Sequence, residues 1–243
     1  MRFGALLLTV GAAGALCACA SSPSSRFYTL GGAGQTPATV SSSPVAFYFQ
    51  LAPVDMPEQV SRNQLVVQTS PAQVSVLEQE RWASLPGDEV RRALSSDLSQ
   101  QLNAIDVYGT PYPESSPVYR VTVKVQRFES WPGSQAVLDA VWSVRAAGSQ
   151  AVMTCRTVAD ERVGDGYDAL VDGHRKAVDT LASAISAGVR SLASLPPAPA
   201  PANASSAKGK AAAAPNPRPA PVLPCPASGG ATTASAQYSP ARR

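Results

Sequence analysis

In residues 119–128, YRVTVKVQRF, apolar and polar residues alternate: Tyr119, Val121, Val123 and Val125 are apolar, and Arg120, Thr122, Lys124 and Gln126 are polar. Successive side chains of a strand point to opposite faces, so this stretch predicts a strand with one face buried and the other wet. Residues 134–146, SQAVLDAVWSVRA, repeat the pattern through Leu138, Ala140, Trp142 and Val144. Residues 150–163, QAVMTCRTVADERV, follow after a turn at Ala147, Gly148 and Ser149. Three strands joined by short turns predict an antiparallel meander.

Working outward, residues 45–57, VAFYFQLAPVDMP, read as a buried strand ended by Pro53 and Pro57. NQLVVQTS (63–70) and SVLEQERWA (75–83) read as two further extended segments. The period changes in LPGDEVRRALSSDLSQQLNAI (85–105), where Val90, Leu94, Leu98 and Leu102 recur every fourth position. That spacing predicts an amphipathic helix beginning near Pro86 to Asp88. A second, longer helix is predicted in residues 167–195, with Leu170, Val178, Leu181, Ile185, Val189 and Leu192 on one stripe and a stop at Pro196 and Pro197. The expected fold class is α+β: a mostly antiparallel sheet with two main helices packed on one face.

The ends differ from this body. The apolar run from Phe3 to Leu16 follows Arg2; a helix needs about 20 residues to cross a bilayer core, so it reads as a secretory signal. Leu16-Cys17-Ala18-Cys19 resembles a bacterial lipobox. Residues 1–18 are therefore expected to be removed and Cys19 acylated, with 19–44 a lipidated terminus and linker. No Asp follows Cys19, and by the bacterial sorting rule the expected address is the outer membrane, facing the periplasm. Residues 45–195 make one domain, and 196–243, with 11 of the 22 prolines, read as a disordered Pro/Ala-rich tail.

The net charge of +3 divides unevenly. Arg2 lies in the signal and Lys208, Lys210, Arg218, Arg242 and Arg243 in the tail, so the body holds 14 of the 20 basic residues against all 17 acidic ones. A mildly acidic body argues against nucleic acid as a partner.

A catalytic reading needs a nucleophile, a base and a group that orients them. The single histidine, His174, stands between Gly173 and Arg175 in the second helix and is expected to be solvated. No histidine or cysteine cluster has metal-ligand spacing, and the Gly164-Asp165-Gly166 turn lacks the lysine of a phosphate loop. Asp165 and Asp168 suit a helix start, where the dipole favours them. Cys155 reads as a small buried hydrophobe, although pairing with Cys225 in an oxidising compartment is the alternative. No cofactor is expected beyond the covalent lipid on Cys19.

The series Ser25-Arg26-Phe27-Tyr28-Thr29-Leu30, Leu51 to Pro57, Ser61 to Val66, Glu80 to Leu85, Tyr119 to Val123 and Trp142, after a lipobox, resembles the PqiC-type auxiliary lipoproteins of ABC transporters that work with MCE-domain proteins. The resemblance covers about residues 25–195. It departs at Asn63, where the pattern has proline. It implies a non-catalytic outer-membrane lipoprotein, able to form a homo-oligomeric ring, that docks a periplasm-spanning MCE-domain protein for lipid transport between the membranes. Phe27 and Tyr28 are expected to pair onto a sheet edge, and Phe27, Tyr28, Arg62, Gln64, Arg81 and Trp82 are the candidate partner contacts, since Trp and Arg so often dominate interfaces. For Trp82, core packing is the equal alternative. A reading of a different class makes the chain a structural envelope lipoprotein that holds peptidoglycan through its basic tail.

Overall fold

The alternation at Tyr119 forms the centre of the molecule. The structure is a computed structural model that describes residues 24–31, 45–195 and 223–226. Cys19, the signal and most of the tail lie outside the described residues.

In chain order the elements are β1 (Arg26–Tyr28), β2 (Tyr48–Leu51), a 3-10 turn (Glu58–Val60), β3 (Gln64–Ser70), β4 (Gln73–Trp82), α1 (Pro86–Leu102), β5 (Ile105–Asp106), β6 (Val118–Trp131), β7 (Gln135–Ala146), β8 (Val152–Arg162) and α2 (Tyr167–Ala193). Among the described residues they form a three-stranded sheet, β1-β4-β3, and a five-stranded sheet, β5-β2-β6-β7-β8. The expected meander is β6-β7-β8, antiparallel throughout. The sheets are mixed because β2 lies parallel to both β5 and β6, and β1 parallel to β4. The class is α+β.

The buried series Tyr119, Val121, Val123 and Val125 ends at a bulge: Val125 pairs with Ala140 but Arg127 with Asp139. The extra residue leaves Gln126 and Arg127 both exposed and turns Phe128 and Ser130 inward. On β7, Leu138, Ala140, Trp142 and Val144 face the same core, and Met153, Cys155 and Ala159 continue it on β8. The stripe of α2 covers this surface, and Gly188 lets the helix approach it closely. A Cβ there would stand 2.9 Å from Trp142 Cη2 and 3.2 Å from Met153 Sδ. Trp142 Nε1 donates to Thr157 Oγ1 at 2.9 Å, so the largest core side chain carries no unpaired donor.

Helix α1 starts with Pro86 in its first turn, where a missing N–H costs nothing, and Asp88 and Glu89 complement its dipole. Val90, Leu94 and Leu98 are fully buried. Asn103, in the left-handed conformation at φ 48°, ends it and returns its amide to Ser99.

Two expectations are corrected. His174 is not solvated: it is fully buried, because it continues the stripe of Leu170 and Val178 at four-residue steps. Cys155 is buried but not free. It forms a disulfide with Cys225, with Cα atoms 5.8 Å apart. The short stretch Leu223–Pro226 therefore has a fixed geometry that composition does not suggest: Leu223 packs against the main core and sends its amide to Val152 O at 3.4 Å.

Candidate anchoring and docking surface

β1 is only three residues long, and its hold on the domain comes from side chains. Glu80 on β4 accepts two bonds from Arg26 Nε, at 2.9 and 3.0 Å, and a third from the Arg26 terminal nitrogen. The Tyr28 hydroxyl donates to the same carboxylate at 2.6 Å. Burial alone would raise the Glu80 carboxyl, yet the hydrogen bonds from Arg26 and Tyr28 outweigh it and hold the group below the ordinary carboxylate range. Tyr28 answers in the opposite sense: burial and the anionic acceptor push its hydroxyl up to about 12.

Two residues on, Glu89 of α1 fastens the chain again. Fully buried, it receives Thr29 Oγ1 at 2.7 Å, the Leu30 amide at 2.9 Å, Ser84 Oγ at 2.6 Å and Arg92 at 2.5 Å. Burial again opposes the charge and the hydrogen bonds prevail, keeping the carboxyl low. From α2, Arg175 donates to Thr29 O at 2.6 Å. The segment entering the domain is thus tied to β4, α1 and α2 at once.

The six candidate contacts divide by strand parity. Arg81 is the register partner of both Phe27 and Gln64, so these three form one row across the three-stranded sheet. Phe27 is 65 % exposed, Gln64 and Arg81 are half-buried, and Arg62 is exposed one turn away. Arg81 donates to Glu78 O at 2.8 Å, and Gln64 reaches Glu78 Oε2 at 3.4 Å. The next residues face inward: Tyr28 and Trp82 are core side chains, Trp82 lying 6.0 Å from the Phe128 ring and 6.2 Å from that of His174. The surface that the structure assembles is therefore Phe27, Arg62, Gln64 and Arg81. Glu80 and Glu89, which hold it in place, are absent from the sequence-based set.

His174 lies under this sheet. Its ring stacks on Phe128 at 4.0 Å and its Nε2 meets Ser130 Oγ at 2.8 Å. A serine beside a histidine invites a hydrolytic reading, but burial lowers the imidazole pKa to about 3, so the ring does not take up a proton at neutral pH. The other ring nitrogen, Nδ1, has no hydrogen-bond partner among the described residues.

Two smaller features lie at the β6 bulge and beyond it. A cleft of about 190 Å³ between the Glu58–Val60 turn and Gln126 to Glu129 is smaller than ordinary ligand pockets, which span about 300–1,000 Å³. On the sheet face away from the helices, Arg156 clasps the buried Asp139 at 2.8 and 2.5 Å; those hydrogen bonds hold the carboxyl below its usual range.

The family model that describes the ABC-type transport auxiliary lipoprotein component matches residues 28–186, which takes in β1's end, both sheets and most of α2. The chain belongs to this family. An auxiliary lipoprotein of this kind is a component of an ABC-type transport system. No curated protein matches the chain. Among solved structures, an uncharacterized protein is similar over 69% of this chain and 99% of its own, at 20% identity and a TM-score of 0.55, which supports the fold alone. A protein from Xanthomonas campestris is similar over 69% of this chain and 91% of its own, at 14% identity and a TM-score of 0.44.

Proposed function

We propose that this auxiliary lipoprotein is a non-catalytic outer-membrane subunit, acylated on Cys19 and facing the periplasm. In this reading it docks the periplasm-spanning MCE-domain protein of an ABC transport system that moves lipid between the two membranes. The observation that carries the reading is the family match across residues 28–186. The docked β1 segment supports it: a protein whose work is to hold a partner relative to a membrane needs its tether joined firmly to its fold, and Glu80 and Glu89 provide that joint. Phe27 offers an exposed aromatic side chain in register with Arg81, with the exposed Arg62 just before β3, side-chain types that anchor many interfaces.

The experiment is affinity purification of the acylated protein from detergent-solubilised envelope, with mass spectrometry of what accompanies it. Recovery of an MCE-domain protein with an ATPase and permease is expected, and the recovery falls for Phe27→Ser and Arg81→Glu. A Cys19→Ser variant is expected in the soluble periplasmic fraction. Retention of that variant in the membrane removes the anchor, and a wild-type preparation that brings down only peptidoglycan fragments removes the transport role.

A further inference from the structure

From Leu65 to Leu77 the chain runs LVVQTSPAQVSVL, 13 residues without a charge, and the structure folds this stretch into the β3–β4 hairpin. The other long solvent-facing strands are different: Arg120 and Lys124 are exposed on β6, and Arg156, Asp160 and Arg162 on β8. Within the hairpin Val74 is 40 % and Val76 is 36 % exposed, two apolar side chains on one face of the first half of β4. That half also has an open edge. β1 pairs only with Glu80, Arg81 and Trp82, so from Gln73 to Gln79 β4 has no strand partner on that side among the described residues. Soluble proteins ordinarily guard such an edge with charge or proline.

The direction of the incoming chain explains what meets this surface. β1 is parallel to β4 with Arg26 opposite Glu80, so upstream of Arg26 the chain departs toward the hairpin tip. Ser25 takes the first step, its hydroxyl bonded to Gln79 Oε1 at 3.0 Å. Cys19 stands seven residues before Arg26, a reach of at most about 25 Å. Gln73 stands seven residues before Glu80, about 23 Å along the strand. The tether is thus just long enough to bring its end level with the tip of the hairpin, and Glu80 and Glu89 prevent β1 from lifting away to lengthen it.

We propose that the β3–β4 hairpin is the membrane-facing end of the domain, its uncharged tip and the exposed Val74 and Val76 resting on the bilayer that holds the acylated terminus. The inference rests on the lipid anchor proposed above. An uncharged surface that presents Val74 and Val76 beside Thr69, Pro71, Ala72 and Gln73 suits the interface of a bilayer irrespective of headgroup charge, so the contact is insensitive to salt.

The test uses the mature, acylated full chain in phosphatidylethanolamine–phosphatidylglycerol vesicles that carry a nitroxide-labelled lipid. Once Cys19 is acylated and Cys155 is bonded to Cys225, a new cysteine is the one free thiol, and a fluorophore is attached at Val74→Cys or at Leu85→Cys. Leu85 is exposed beyond the opposite end of β4, roughly 30 Å from the tip. Emission at position 74 is expected to fall by more than half and that at position 85 to fall by less than about a tenth, in 0.5 M salt as in dilute buffer. Quenching at position 85 equal to that at 74, quenching at neither, or quenching at 74 that salt abolishes overturns the proposal. So does cross-linking between two copies through position 74, which makes the hairpin a protein interface. The intact mass of the same sample separates the two readings: an unacylated chain overturns the anchor and this proposal together, whereas an acylated chain without quenching at 74 overturns this proposal alone.

Discussion

The sharpest prediction concerns His174, the only histidine in the chain. In the folded protein its pKa is lowered to about 3 by burial, whereas in the unfolded chain it titrates near 6.5. Between those values the unfolded state binds a proton that the folded state excludes, so stability is complete above about pH 6.5 and declines as pH falls toward 3. Each unit in that window costs about 1.4 kcal/mol, which gives about 2 kcal/mol at pH 5. The depressed carboxylates of Glu80, Glu89, Glu129 and Asp139 act in the same direction, but their contribution is lost only as pH falls below the ordinary carboxylate values of about 4. Urea unfolding at pH 7.5 and pH 5.0 therefore isolates the imidazole. The control is His174→Phe combined with Ser130→Ala, which removes the titrating ring and its hydrogen-bond partner together. The wild type is expected to lose about 2 kcal/mol between the two conditions and the double variant to stay level. Equal behaviour of the two proteins, or a folded-state imidazole proton resonance that titrates near pH 6.5, refutes the reasoning.

The carboxylate joint gives a graded outcome: Glu89→Ala abandons the Leu30 amide and its companions in the core and should cost about 3–5 kcal/mol, against roughly 2 for Glu89→Gln, which keeps one acceptor oxygen. Hydrogen exchange at the Leu30 amide should accelerate in both variants before global unfolding begins. Gly188→Ala forces a methyl against the Trp142 ring, and a loss of about 1–3 kcal/mol is expected in thermal unfolding. Cys225→Ser opens a loop closed by residues 70 apart; the chain-entropy model sets the loss near 4 kcal/mol, and reductant should lower the wild type toward the variant while leaving the variant unchanged.

Much of the architecture was legible because burial and chain period coincide. Tyr119 to Val125, Leu138 to Val144 and the α1 series Val90, Leu94, Leu98 lie where their spacing places them. The bulge left a mark too: two polar residues in succession, Gln126 and Arg127, displace Phe128 from the odd positions. His174 was misread because its neighbours in sequence, Gly173 and Arg175, were given more weight than its neighbours on the helix, Leu170 and Val178. The adjacent pairs Phe27–Tyr28 and Arg81–Trp82 had to split between two faces, but which member faced inward depended on the register of β1 against β4, a contact 54 residues distant. Glu80 and Glu89 gave little sign of burial, since each sits among polar residues that look solvated. The two-residue β5 is too short to carry a period, and the Cys155–Cys225 pairing was hidden behind a composition that argues for no structure at all.

The two sheets treat their open edges differently, and the difference bears on what each edge does. β8 is the outer strand of the five-stranded sheet. Its start is covered by Leu223, held there by the Cys155–Cys225 disulfide two residues on, and its exposed positions are Thr154, Arg156, Val158, Asp160 and Arg162, so that its one exposed valine stands between charged residues. That edge is closed by a strap at one end and by charge at the other, the two devices that keep a strand from pairing with another chain. Among the described residues the first half of β4 has neither: it is uncharged through Leu77 and presents two valines. Among the described residues one edge is thus protected by a disulfide while the other is bare at the end toward which the chain upstream of Arg26 departs, the arrangement that the proposed bilayer contact would use. The buried carboxylates gain their purpose from the same asymmetry. β1 contributes only three residues of parallel pairing, and the fully buried Glu89 is the stronger of its two fastenings, since removing one partner from a buried ionic group costs about 3–5 kcal/mol. With the terminus anchored as proposed, Glu80 and Glu89 would make the joint between that segment and the domain stiff enough for the position of the anchor to set the orientation of the hairpin.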